Sequence, residues 1–570
     1  MTDDSKVSPS AQSPAIALSL RIAGIVLTVV YLVSVVVLLV WAARLRFRLP
    51  EEPLIDPDIK GYLGPALVAL SGKPFQHLIG RSFPYPAFVF FVLRIFGDFR
   101  AIPVIQHIIG LGAGALILLA WNAIRDLAPT GGLPKPLFRF MGFMPAYVFL
   151  GSATTISFEH QIRPEGIFPF LAVLNMWLSF RFLHARFVQP RPSYLWFGAL
   201  NAFASFLLYM LKPSFGFATI LTSLPVWICL ILPSRPWRER GILAAAAILP
   251  AALLLFLPEH VMKRSDPFSA VFLPETLLSA HAVLVEQQLG EDLASNAPLP
   301  FPRPELQAAY DMLGAELAKA PQIVAEQEDT ISSYKPDYLL LEYIMYGNSF
   351  CVNFPAQMHL SPEQFGHFCM TLYLRALLHH PGGMVAQAKG QLALFYAKKN
   401  PAYWFGRSLD ISTVQYARVG HLMAFADQLG AGSPAVTRYI DAATRLAGEG
   451  VAIPQATRLI EWIRYFSTRY LDFLKIALVY SVVLLVIPPF RRHFLWLIVA
   501  LGLVYCYNFG NSLTIAFVHS MEVNRYVRIQ LIFTIFAQCL TLGLLVEAGV
   551  FILRLGFSKF LLPRLRPAAK

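Results

Sequence analysis

The sequence predicts an all-α polytopic membrane protein with about ten transmembrane helices, interfacial helices in the first outer loop, and a helical extracytoplasmic domain. The first observation is composition: of 570 residues, 56% are hydrophobic and only 14% are charged, whereas soluble domains carry about 25% charged residues. The second is a set of apolar stretches long enough to cross about 30 Å of hydrocarbon. The third is that basic residues gather at alternate ends of these stretches, as expected for a multi-pass protein.

Ten apolar stretches are long enough to span a bilayer. The first exceeds the apolar core of a signal peptide and lacks a cleavage site of small residues, which predicts an uncleaved anchor. The stretch 87–96 is too short, follows directly on Pro84 and Pro86, and contains Arg94, so we expect 83–97 to be an interfacial helix. The predicted spans are 22–42, 102–124, 137–156, 166–184, 193–211, 214–233, 241–257, 471–488, 494–512 and 527–552.

The positive-inside rule decides the orientation of these spans. With both termini in the cytoplasm, the inner connections carry most of the basic clusters, among them Arg235, Arg238 and Arg240. This accounts for much of the net charge of +13 and favours membrane lipids, not nucleic acid, as its partner, since no basic stripe lies on a soluble domain. We expect a bacterial inner (plasma) membrane location and five units: a disordered cytoplasmic tail 1–21, a transmembrane module 22–257 with outer loop 43–101, a helical periplasmic domain 258–468, C-terminal transmembrane helices 469–556, and a basic cytoplasmic tail 557–570.

The region 258–468 has helical periodicity and no notable strand alternation. Ser361-Pro-Glu-Gln364 is a capping-box sequence, and Pro381-Gly-Gly383 is expected to stop the helix that it opens. The aromatic stretch 334–354 could line an acceptor groove, but core packing is the favoured interpretation. Other helices are predicted at Leu273–Leu289, at Arg303–Lys319, up to about Lys399, and from Ser433-Pro434.

Two cysteines of this region, Cys351 and Cys369, leave two alternatives open. In an oxidising compartment they could form a disulfide, and they could equally be free buried thiols.

Ionisable side chains gather at the predicted outer ends of the spans. They fall in four places that the chain separates widely: Asp56 and Asp58, the segment from Glu159 to Glu165, Lys212, and the segment from His519 to Tyr526. The span interiors are nearly free of charge, whereas ion-coupled transport would place ionisable residues at mid-membrane. This pattern favours chemistry at the outer leaflet.

The first outer loop also carries basic residues against the positive-inside rule. Arg44, Arg46 and Arg48 are equally well explained as side chains that reach lipid head groups. Lys60 and Arg81 lie close to the acids, and we expect them to bind an anionic phosphate.

Outside the cytoplasm, where nucleotide sugars are absent, a sugar on a polyprenyl phosphate is a suitable donor. The lipid phosphate is a good leaving group, so only the acceptor hydroxyl needs a catalyst, a single carboxylate base. Cations or a divalent metal would stabilise the charge that develops on the departing phosphate.

The segment Asp58-Ile-Lys-Gly-Tyr-Leu-Gly-Pro-Ala66, followed by Gly72, Arg81-Ser-Phe-Pro-Tyr-Pro86 and Phe96-Gly97, resembles the first loop of GT-C membrane glycosyltransferases. The groups it resembles are the protein O-mannosyltransferases, aminoarabinose transferases and lipid A galacturonosyltransferases. Arg163-Pro-Glu165 resembles their "RPD/RPE" motif, and Arg525-Tyr526 resembles the "RY" before a late span. The resemblance covers about the first 260 residues and the last span.

The resemblance implies roles for particular residues. The base is Asp58, four residues before Tyr62; Asp56 is the alternative, although Asp56-Pro57 is also a turn-forming pair. Some members hold Mg²⁺ or Mn²⁺ near a second acid, for which Glu159 and Glu165 are candidates, with Glu165 equally suited to cap a span. No cofactor is otherwise implied. The substrate- and phosphate-binding candidates are Lys60, Tyr62, Arg81, Arg163, Lys212, Arg525 and Tyr526; His77, His160 and His281 are weaker candidates for substrate contact.

We therefore expect a glycosyltransferase that moves a sugar, with inversion, from a polyprenyl-phosphate donor to a periplasmic acceptor, which is a glycolipid, a polysaccharide or a protein. One alternative is a transporter or flippase for a lipid-linked sugar, which predicts inverted repeats that are not evident. The other is a non-catalytic scaffold for envelope assembly.

Overall fold

The computed structural model describes residues 14–55, 58–75, 81–129, 132–232, 236–264, 266–327, 336–396, 406–412, 418–419, 434–519, 526 and 528–556. Nearly all of this chain is helical. In chain order the helices are α1 Pro14–Arg46, α2 Ile59–Leu70, α3 Pro84–Phe96, α4 Ala101–Arg125, α5 Lys135–Met141, α6 Phe143–Gly151, α7 Ala153–Glu159, α8 Phe168–Leu183, α9 Tyr194–Leu211, α10 Gly216–Ile231, α11 Trp237–Ala251, α12 Leu257–Lys263, α13 Phe272–Ala280, α14 Ala282–Ala294, α15 Arg303–Gln327, α16 Pro336–Tyr346, α17 Phe350–Gln357, α18 Pro362–His379, α19 Pro381–Phe395, α20 Pro434–Leu446, α21 Thr457–Thr468, α22 Tyr470–Val486, α23 Pro488–Val518 and α24 Leu531–Gly556.

Eight helical segments in the described part of the chain are long and apolar enough to cross a membrane. They contain α1, α4, α8, α9, α10, the α11–α12 pair, α23 and α24, and each coincides with a predicted span. The expected class, an all-α polytopic membrane protein, is therefore confirmed.

Two further predicted spans have less regular counterparts. The span predicted at 137–156 is a broken helix, because Lys135–Gly151 and Ala153–Glu159 meet at 58°. The span predicted at 471–488 corresponds to the 17-residue α22. The total of about ten remains a prediction.

The first loop contains two short apolar helices, as predicted. The helix expected at 83–97 is α3, which has 13 residues and is about 20 Å long at 1.5 Å per residue, too short to cross the hydrocarbon core. Pro84 begins it, where its missing N–H costs nothing. Gly97, with φ of +65°, ends it in a left-handed conformation that favours glycine.

Charged side chains lie at two separate ends of the helix bundle. At one end Arg46, at the end of α1, pairs with Glu159, at the end of α7. At the other end Arg181, late in α8, pairs with Asp126, just after α4, and Glu547 of α24 accepts a hydrogen bond from the Leu133 amide. Successive helices thus run in alternate directions, as expected for membrane-crossing helices joined by short loops.

A buried polar cluster between four helices was missed by the sequence analysis. Asn175 of α8 donates to the Asn201 carbonyl and the Ser205 hydroxyl of α9, at 2.9 Å each. Its side-chain oxygen accepts hydrogen bonds from Thr222 of α10 and Tyr507 of α23. Such uncharged polar side chains join helices in an apolar environment.

The region 258–468 is mostly helical, with its own apolar core of buried side chains from α13 to α19. The capping box of Ser361 and Gln364 is confirmed at both of its hydrogen bonds. A two-stranded antiparallel sheet, β1 Ser408–Asp410 with β2 Ala452–Pro454, was not predicted. The favoured interpretation of 334–354 as core agrees with the burial of Leu341 and Phe354.

Three boundaries in this region differ from the prediction. The helix expected over Leu273–Leu289 is broken at His281, where α13 and α14 meet at 86°. Neither half alone spans about 30 Å at 1.5 Å per residue, and both belong to the region 258–468, which is expected to lie outside the membrane. The Pro381-Gly-Gly383 sequence does end α18, but it also begins α19 at once, because proline fits the first turn. Helix α19 ends at Phe395, and Ser433 lies outside the described residues.

Cys351 and Cys369 are free and buried. The Cys351 thiol lies 3.4 Å from the Ser279 hydroxyl, and burial raises the pKa of both thiols. Of the two alternatives, the structure has the pair of free thiols.

Candidate functional site

The site begins at the ion pair between Asp58 and Arg81. Asp58 immediately precedes α2, and Arg81 lies just before α3. Arg81 Nη2 is 3.2 Å from Asp58 Oδ2, and the two side chains are 27% and 23% exposed. The Arg81 guanidinium also lies over the Tyr62 ring, 5.3 Å from its centroid. This carboxylate is therefore held in place while it remains accessible from solvent.

Tyr62, which contacts Arg81, packs against Tyr85. Their rings meet edge to face at 5.5 Å, and both side chains are buried. Burial raises the pKa of each phenol, and the charge of Glu165 raises both further. For Tyr62, the charge of Arg81 lowers the pKa and that of Asp58 raises it, but burial has the largest effect. Both hydroxyls therefore stay protonated and can donate hydrogen bonds.

Beyond the tyrosines lies a buried triad of Arg163, Glu165 and Lys212. Arg163 Nε donates to Glu165 Oε2 at 3.0 Å, and Lys212 Nζ donates to Glu165 Oε1. Lys212 sits in extended backbone where α9 ends, and its ammonium lies 5.2 Å from the centre of the Tyr526 ring. Two cations against one carboxylate leave a net charge of +1, which favours a neighbouring anion.

A second buried cluster lies around Glu159. Arg46 donates two hydrogen bonds to this carboxylate, of 2.6 and 2.8 Å. His107 of α4 contacts Glu159 through Nδ1 at 3.0 Å and His160 through Nε2 at 3.1 Å. Gln106, beside His107, joins the two clusters, because it donates to the Glu159 carbonyl and accepts from the Tyr85 hydroxyl.

The two acids suggested as metal ligands do not fit a divalent cation. Both oxygens of Glu159 accept from Arg46, and each oxygen of Glu165 accepts from Arg163 or Lys212. Among the described residues, no group of three His, Cys, Asp or Glu side chains is placed to hold a metal.

The other candidates are distributed as follows. Lys60 is half-buried in the first turn of α2, and no hydrogen bond or ion pair joins it to the described residues. Asp56, His77 and Arg525 lie outside the described residues. His281 bridges the Phe517 carbonyl and Gln387, which is a structural role.

Several site residues were missed from the sequence. Arg46 has the same sequence setting as Arg44 and Arg48, and Gln106 belongs to no motif. Tyr85 lies in the Arg81–Pro86 segment, but that motif implied no role for it. The charges of Glu342, Arg81 and Asp58 also act on the hydroxyl of Tyr346 in α16, a side chain that is 56% exposed. Glu275 of α13 acts on the same hydroxyl, and burial raises the pKa of Glu275 to about 7.

A scan against protein-family models gives no match, and searches of curated proteins and of solved structures find no similar chain.

Proposed function

We propose that this protein is a membrane glycosyltransferase that moves a sugar from a polyprenyl-phosphate donor to an acceptor on the periplasmic side of a bacterial inner membrane. One observation carries the proposal. Side chains from segments that the chain separates widely, Asp58–Arg81, Arg163–Glu165, Lys212 and Tyr526, gather at one end of the helix bundle. They combine an accessible carboxylate with a buried cluster of net positive charge.

The proposed reaction needs one base and one anion site. The acceptor hydroxyl gives its proton to the Asp58 carboxylate while its oxygen bonds to C1 of the sugar. The bond between C1 and the phosphate oxygen breaks on the opposite face, and its electron pair stays on the lipid phosphate. The net positive charge of Arg163, Glu165 and Lys212 would stabilise this phosphate. Attack opposite the leaving group inverts the anomeric centre.

The arrangement also defines supporting roles. Arg81 orients the Asp58 carboxylate through their 3.2 Å contact. The protonated Tyr62 hydroxyl can donate to a sugar or phosphate oxygen. The Tyr85 hydroxyl gives its one proton to Gln106 Oε1 at 3.0 Å, so it can only accept a hydrogen bond from a substrate hydroxyl.

The experiment compares envelope lipids by mass spectrometry in a deletion strain that carries the wild-type gene, Asp58→Asn or Asp98→Asn. Asp98 is the matched control, because it is also an aspartate of the first loop paired with an arginine, Arg100 at 2.7 Å. We expect the glycosylated product to disappear with Asp58→Asn and to persist with Asp98→Asn.

Two outcomes would contradict the proposal. One is full product formation by a stably expressed Asp58→Asn protein. The other is a deletion strain in which lipid-linked sugar accumulates on the cytoplasmic leaflet and no covalent product is lost, which would indicate a flippase.

A further inference from the structure

The helical region contains a surface pocket that none of the proposed catalytic residues lines. Its volume is about 410 Å³, within the range of small-ligand sites. It lies between the chain leading into α15 and the first turns of α18, with Leu360 beside it. The residues that the argument uses are Phe301, Glu305, Glu363, Gln364, His367 and Phe368.

The pocket has a fixed aromatic wall. The Phe301 ring lies 4.8 Å from Phe368 and 5.7 Å from His367, at steep angles to both. Phe368 is buried in the core of the region, so it anchors Phe301 in one orientation. An aromatic ring held this way offers a flat apolar surface to a ligand.

The polar side chains are also partly fixed. The capping box engages Gln364 Oε1 with the Ser361 amide at 2.8 Å, which leaves the Gln364 amide nitrogen as the group that can donate to a ligand. Glu305 and Glu363 supply carboxylate acceptors, and the His367 ring nitrogens supply a donor and an acceptor when neutral. Acceptors and donors therefore surround one aromatic wall.

The charge of the pocket selects among ligands. The described residues that line it include two carboxylates and no arginine or lysine, although the whole chain has a net charge of +13. A phosphate or another anion would be repelled, which makes this pocket unsuited to the lipid-phosphate donor. An uncharged ligand with neighbouring hydroxyls matches it, since each hydroxyl can donate to a carboxylate and accept from the amide or imidazole.

We propose that this pocket binds an uncharged saccharide, whose hydroxyls meet Glu305, Glu363 and Gln364 and whose apolar face lies on Phe301. In the context of the proposed function, on which this assignment of role rests, the saccharide is part of the acceptor. The helical region then selects a glycan-bearing acceptor and holds it beside the transmembrane module.

The test is saturation-transfer NMR on the purified full-length protein in lipid nanodiscs. The probes are maltotriose, cellotriose and N-acetylchitotriose at about 10 mM, high enough to detect a millimolar Kd. We expect saturation transfer to at least one of them and about tenfold weaker binding in Phe301→Ala, because the ring supplies the apolar contact. Glu363→Gln, at an exposed position, keeps the fold and weakens binding about threefold or more, because it removes a charged acceptor. Phe268→Ala is the matched control, since Phe268 is a surface phenylalanine, 66% exposed, outside the pocket.

Three results would overturn the inference. They are no saturation transfer to any of the trisaccharides, trisaccharide binding that neither pocket variant weakens, and displacement of the trisaccharide by spermidine, which would indicate an amine site. Because no donor is added, the result does not depend on whether Asp58 catalyses transfer. If the protein binds a saccharide but has no transferase activity, the pocket assignment stands and the proposed function is refuted. If it has transferase activity but binds no saccharide, the proposed function stands and the pocket assignment is refuted.

Discussion

The buried pair of Arg46 and Glu159 gives the most quantitative prediction. Both side chains are at most 1% exposed, and the guanidinium makes two hydrogen bonds to the carboxylate and one of 2.8 Å to the Leu150 carbonyl. Arg46→Leu leaves the Glu159 charge buried, with His107 still 3.0 Å away. Removing one partner of a buried pair typically costs about 3–5 kcal/mol, and we expect a loss of that size in the free energy of unfolding.

The assay is unfolding by SDS titration in detergent, followed by tryptophan fluorescence. Trp41 reports on this part of the fold, because it stacks on Tyr147 at 5.1 Å and lies on the same helix as Arg46. The control is Arg445→Leu, which breaks the exposed pair of Arg445 and Glu449, 3.8 Å apart, and should cost less than about 1 kcal/mol.

A double variant separates the lost charge pair from lost packing. Replacing both partners, as Arg46→Met with Glu159→Met, should restore most of the stability, because well-packed apolar residues often substitute for a buried ion pair without loss. The reasoning is refuted if Arg46→Leu costs no more than Arg445→Leu, or if the double variant is less stable than Arg46→Leu alone.

Three further predictions follow from local geometry. Gly110→Ala would place a methyl group 2.1 Å from Glu159 Oε1, so we expect about 1–3 kcal/mol of destabilisation in the same SDS titration. The control Gly549→Ala, where the added methyl group meets open space, should be neutral or stabilising by up to about 1 kcal/mol. Equal effects of the two variants would contradict the close approach of Gly110 to Glu159. Burial raises the pKa of Glu275 in the folded state from 4.5 to about 7. Between these two pH values the folded state binds a proton that the unfolded state does not, so the stability of the folded state should fall as the pH rises from about 4.5 to 7. This part of the pH dependence, measured by thermal unfolding, should vanish in Glu275→Gln. Ser361→Ala removes a hydrogen bond of the capping box and should cost about 1 kcal/mol, and no change in the melting temperature would argue against that cap.

The long helices could be predicted from sequence because a run of about 20 apolar residues is the length of helix that crosses the hydrocarbon core of a bilayer. The breaks in helices were harder to predict. The bend at Ser152 follows directly on Gly151, a Gly-Ser pair of the kind at which helices kink, but no proline or glycine marks the bend at His281, where the sequence carries no local signal. The small sheet of β1 and β2 joins segments about 40 residues apart, a pairing that local periodicity does not encode.

The candidate site was predictable where its residues share one loop, as Asp58, Tyr62 and Arg81 do. It was not predictable where partners lie far apart in the chain. Arg46 looked like a side chain that reaches lipid head groups, because only the fold shows that Glu159 comes back to meet it. Glu165 looked like a metal ligand or a helix cap, because its two cations come from different segments.

The most direct test of the central claim is release of polyprenyl phosphate from a polyprenyl-phosphate sugar by the purified protein with an acceptor glycolipid. We expect steady release by the wild type and by Asp98→Asn, and a rate about 10²–10⁴-fold lower for Asp58→Asn, as for the loss of a general base. Asp58→Asn should unfold at nearly the wild-type temperature, since it breaks only a part-exposed ion pair. An Asp58→Asn protein with the wild-type rate would contradict the account.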